Sequence, residues 1–193
     1  MKFLHTIIGT SYDCTAHCPD RSPVFVHSKL VEELCELSDV YHGLAESEPL
    51  NGEIADVIIS AIDLLYVVEF NPHHVNGCMN KEEMIDSVIF RLAELGATES
   101  KDVESHWFHV GDLKPEKHLA LAVHYLGRTT RLLNQPYRSE DDLAYLVDRI
   151  ITFTAKMACA VGIINSVSQS DTRVKVEHAI EHKVGKWRTK FGL

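Results

Sequence analysis

The sequence predicts an all-α protein, a bundle of about six helices, on three observations. Apolar residues recur three and four positions apart along most of the chain, little competing strand alternation is present, and turn and cap residues fall between the periodic stretches. Among 193 residues, 45% hydrophobic and 24% charged, ten glycines and six prolines exclude collagen-like, low-complexity and disordered chains. The first expected helix, about 25–45, carries the apolar period between acidic residues. Asn51-Gly52 precedes the second, about 52–69, which is apolar nearly all round, and Asn71-Pro72 follows it. The third spans about 81–95, and Pro115 opens the fourth, about 115–134. Ser139 followed by Asp142 is a capping-box-like start for the fifth, about 139–162. The sixth, about 173–191, has an apolar stripe of Val176, Ile180, Val184, Trp187 and Phe191 bordered by Lys183, Lys186, Arg188 and Lys190.

Between the helical patterns, 96–114 collects Gly96, Thr98, Ser100, Ser105 and Gly111 and reads as a linker between halves 1–95 and 115–193 of one compact domain. A shift of 92 residues lays Leu34 on Leu126, Asp56 on Asp148, Ile58 on Ile150 and Ile59 on Ile151, the pattern of two helical-hairpin repeats. Glu33, Glu36 and Glu53 then correspond to Tyr125, Arg128 and Tyr145, so the second repeat is degenerate and is expected to hold no metal, its Asp148 pairing with Arg128.

A formal charge of −9 disfavours non-specific nucleic-acid binding, whereas a small polyanion reaches an acidic surface through divalent cations. Apolar runs such as 57–62 are cut by Asp56, Asp63 and Glu69, so no membrane span is expected. The amino terminus is read as mature protein, and five scattered cysteines as a reducing, cytoplasmic setting, with Cys35 in the core.

Residues 29–65 hold the chemistry. Lys29, Glu33 and Glu36 share one helical face, with Glu32 and Asp39 as solvated flanks, and Glu53 and Asp56 lie three apart on the apolar second helix. Buried carboxylates are costly unless paired, protonated or bound to a cation. Facing helices carrying Glu33, Glu36, Glu53 and Asp56 would offer four oxygen ligands, a set suited to Mg²⁺ or Mn²⁺.

The arrangement E-x-x-E, 16 intervening residues, then E-x-x-D, with lysine four positions ahead, resembles the MazG-type, all-α nucleoside triphosphate pyrophosphohydrolases, relatives of the dimeric dUTPases. Asp20-Arg21 and His27-Ser28-Lys29-Leu30 are similar to that family's lead-in, and the likeness covers about residues 20–69. The resemblance implies a four-helix core, Mg²⁺ (or Mn²⁺), and cleavage of a nucleoside triphosphate to monophosphate and pyrophosphate in nucleotide-pool house-cleaning. It further implies metal ligation by Glu33, Glu36, Glu53 and Asp56, with Glu33 or Glu36 as the catalytic base. Lys29, Lys183, Lys186 and Arg188 would bind the substrate, Lys183 and Arg188 fitting a K-x-x-x-x-R segment in which Trp187 replaces an expected polar residue. Members usually assemble this bundle from two chains, so the fused pair either stands alone or forms a homodimer.

Two other readings compete: a non-enzymatic helical interaction module with a relic site, and a carboxylate-bridged di-iron bundle. The latter normally needs Glu-x-x-His on two helices, which neither 29–45 nor 52–69 provides. H-x-x-E-H at 178–182 leaves only 11 residues for a distal zinc ligand, and Cys14, His17 and Cys18 lack a second ligand pair.

Overall fold

The computed structural model describes residues 2–45, 48–95, 106–109 and 114–193, and among these all regular structure is helical. The elements are α1 (Lys2–His17), α2 (Pro23–Tyr41), α3 (Leu50–Leu65), the short α4 (Asn71–Val75), α5 (Lys81–Leu95), α6 (Pro115–Asn134), α7 (Leu143–Ile164) and α8 (Gln169–Lys190). No helix among the described residues is long and apolar enough to cross a membrane.

Helix α1 is an addition to the six expected. Phe3, Leu4, Ile7 and Ile8 are buried at helical spacing, which places one face of α1 in the core. Local chemistry sets the other boundaries. Ser22 caps α2 by accepting the Phe25 N–H, with Pro23 pre-set for the first turn. Asp142 caps α7 through the Tyr145 N–H, moving its start past Ser139, whose hydroxyl accepts from Asp141 N–H. At the end of α3 the backbone widens into a π-helical turn, Tyr66–Phe70, before Asn71 and Pro72.

Helix α3 is the axis of the molecule. Ile54, Val57, Ile58, Ala61, Ile62, Leu64 and Leu65 are all buried, because α2, α7, α8 and α1 pack around it. Full burial of each large aliphatic side chain contributes about 1.5–3 kcal/mol. The α2–α3 hairpin faces a second hairpin, α6–α7, and α5 closes against α1 and α7. A single apolar core runs from Phe3 to Val184 and crosses both halves of the chain. Gly162 permits the close approach of α8 to α7, since a β-carbon there would collide with the Thr172 hydroxyl.

Three expectations need correction. Of the linker, 96–105 and 110–113 lie outside the described residues, but Trp107 and Phe108 are core residues rather than spacer. The Trp107 ring lies 6.0 Å from that of Phe3, and its Nε1–H donates to Asp148 at 2.7 Å. Asp148 accordingly pairs with Trp107 and with Arg149 at 2.6 Å, not with Arg128, which pairs with Asp141 in the turn before α7. Cys35 is exposed, because the inward stripe of α2 is Val26, Leu30, Leu34 and Leu37 and Cys35 lies one position off it.

Candidate metal and ligand site

The acidic pairs meet where α2 and α3 run side by side. One carboxylate oxygen from each of Glu33, Glu53 and Asp56 lies within 4.8 Å of the others, and these form the one group of three metal-capable side chains among the described residues. Glu33 comes from the middle of α2, Glu53 from the first turn of α3 and Asp56 from the next turn. The α3 amino terminus favours negative charge there, but burial opposes it. Glu53 is 2% exposed, and its Oε2 has no hydrogen-bond partner among the described residues. Burial also pushes the Glu33 carboxyl up, to about 7, with the Asp56 charge adding to the effect and Lys29 opposing it. Glu53 and Asp56 are raised for the same first reason, against the attraction of Lys183.

Glu36 stands one turn from Glu33 but is exposed and outside the triad. It borders an acidic cavity of about 420 Å³ with Asp39, Glu48, Glu53, Asp56 and Lys183. The cations expected to bind substrate divide. Lys29 pairs along α2 with Glu32 and Glu33 at 2.9 and 3.2 Å. Lys183 reaches from α8 into the acids and pairs with both Asp56 and Glu48. Burial works against its charge, yet those two carboxylates outweigh burial and raise its pKa. Lys186 lies 3.8 Å from Glu48, at the rim. Arg188 points elsewhere, to Asp13 of α1 at 2.7 Å, a carboxylate it shares with Lys81. In the 178–182 segment, His178 is exposed and Glu181 pairs with Lys2.

Beside the triad opens a larger cavity of about 520 Å³. Glu33, Asp56 and Lys183 line it together with Phe25, Trp187 and Phe191. Arg21 also lines it, buried against Asp63 and donating to Thr15 Oγ1 and the Ser11 carbonyl, each at 3.4 Å. Asp63 accepts from Ser11 Oγ at 2.8 Å as well, so this third acid of α3 serves a buried ion pair rather than the triad. Nothing local in the sequence joins Arg21 to Asp63: 42 positions separate them, and the spacing of Asp63 two turns after Asp56 fixes only its face of α3.

No family profile, curated protein or solved structure matches this chain.

Proposed function

We propose that the protein is a divalent-cation-dependent nucleoside triphosphate pyrophosphohydrolase of the MazG type, releasing the monophosphate and pyrophosphate. The observation that carries this reading is the triad of Glu33, Glu53 and Asp56, gathered on facing helices with a buried Glu53 oxygen that has no partner among the described residues. An all-carboxylate donor set fits a hard cation such as Mg²⁺ or Mn²⁺. Glu33, Glu53 and Asp56 would hold the ion, and Glu36 stands close enough to complete an outer rim. When bound, the ion supplies charge neutralisation for the phosphate chain and a lowered pKa for attacking water.

The chain's own groups account for the rest. Glu33 lies at the junction of the acids and the larger cavity, where its carboxylate would accept a proton from water. Lys183 stands between the same two regions and, released from Asp56, would stabilise the departing pyrophosphate, with Lys186 beside it. Arg188, engaged by Asp13, is given no part in the reaction.

The test is incubation with individual nucleoside triphosphates and Mg²⁺, with products separated by chromatography. Monophosphate and pyrophosphate should appear together, and chelation should abolish both. Orthophosphate with a diphosphate nucleotide would contradict the bond assignment, and an absence of cleavage across the common and modified nucleotides would leave a helical interaction module as the reading.

A further inference from the structure

The 520 Å³ cavity has a lining of two chemical kinds. Glu33, Asp56 and Lys183 belong to it, where anionic phosphate and a cation would meet. So do the rings of Phe25, Trp187 and Phe191 and the aliphatic side chains of Val26 and Ile59. A ligand matching both carries a negatively charged chain and a planar ring within one small molecule. The ring wall is pre-organised. Arg21 lies 5.7 Å from the Trp187 ring centroid and is itself fixed by Asp63, Ser11 and Thr15. That network engages Arg21 and Asp63 with each other and with Ser11 and Thr15, while Asp20, Ser22, Ser60 and Lys190 also line the cavity.

We infer that this cavity takes the nucleobase of the substrate by stacking on Trp187. The inference rests on the nucleotide reading above and adds the residue that receives the base. Every base has a π-face, and stacking on an aromatic side chain is correspondingly tolerant of base identity. Loss of the ring should therefore weaken purine and pyrimidine nucleotides alike, by about tenfold or more.

The experiment is tryptophan fluorescence in Mg²⁺ with probes that the proposed reaction cannot cleave: adenosine 5′-monophosphate, cytidine 5′-monophosphate and, as the same molecule without a base, ribose 5-phosphate. Trp107 is fully buried, so a ligand-dependent change that disappears in Trp187→Phe reports the cavity. The expected result is a saturable change with both nucleotides, absent with ribose 5-phosphate and absent in Trp187→Phe. In turnover, Trp187→Ala should raise KM about tenfold or more for every base, while Trp187→Phe, which keeps a ring, stays within a few-fold of wild type. Phe retention also separates lost stacking from lost folding. An equal response to ribose 5-phosphate, a response that survives in Trp187→Phe, or no response at all would overturn the inference. Triphosphate cleavage without any fluorescence response would sink the stacking claim and leave the hydrolase standing, whereas saturable nucleotide binding without cleavage would sink the hydrolase and leave the stacking wall.

Discussion

Replacing Glu53 with Gln should make the metal-free protein more stable and the metal-loaded protein no more stable than that. Glu53 is 2% exposed, has a carboxylate oxygen without a hydrogen-bond partner among the described residues, and shares its pocket with Glu33, Asp56 and the nearby Glu36 and Glu48. A glutamine of the same shape removes one negative charge and brings an N–H₂ that can donate to the remaining carboxylates. Relief of an unsatisfied buried polar group is worth about 1–3 kcal/mol. For a chain of this length each kcal/mol moves Tm by about 2–4 °C, so a rise of a few degrees is expected in chelator. The wild type, by contrast, should gain about 2.7 kcal/mol from a cation supplied at a hundredfold excess over Kd. That shift, about 5–10 °C, should be nearly absent in Glu53→Gln. Thermal unfolding followed by circular dichroism, in chelator and in Mg²⁺ or Mn²⁺, reads both effects. A variant that melts below wild type in chelator, or that keeps the full cation-induced shift, would refute the reasoning and make Glu53 a structural group.

Three further outcomes are expected. Lys183→Met removes the ammonium that pairs with Asp56 and Glu48, so it should lower metal-free Tm, tighten Mn²⁺ binding several-fold by removing a competing cation, and still reduce turnover; unchanged metal affinity would show that Lys183 and the ion do not compete. Because the folded protein holds the Glu33 proton up to about pH 7 against an ordinary value of 4.5, its stabilising contribution is complete below about pH 4.5 and is lost as pH rises through 7. Metal-free Tm should therefore fall less between pH 5 and 7.5 in Glu33→Gln than in wild type, and identical slopes would refute the assignment. Asp148→Asn, which disturbs the buried contacts to Trp107 and Arg149, should lower Tm by several degrees yet leave Mn²⁺ affinity unchanged; loss of metal binding would place a second metal site in the α6–α7 hairpin.

What the sequence made legible was the part written in local periodicity. The apolar run from Ile54 to Leu65 could only be a buried helix, and carboxylates three apart on it had to lie on one face, which is how the structure arranges Glu53 and Asp56. Helix α1 is also written in local periodicity, Phe3, Leu4, Ile7 and Ile8 standing at helical spacing with His5 and Thr6 off that face, yet it is not among the six expected. Other features depend on contacts between distant segments. Nothing local in Lys183 or Arg188 announces that the first pairs with Asp56 and the second with Asp13, since about one and a half helical turns swing the two side chains to different faces of α8. Trp107 lies in a polar, glycine-containing stretch and looks like part of a linker until Phe3 and Asp148 are brought beside it.

Glu33, Glu53 and Asp56 form the proposed cation site between α2 and α3, and calorimetric titration of Mn²⁺ into the chelator-treated protein tests this most directly. The predicted result is saturable binding in the wild type that disappears in Asp56→Asn while that variant remains folded by circular dichroism. A wild type that binds no Mn²⁺, or an Asp56→Asn variant that binds it with unchanged affinity, would contradict the central claim.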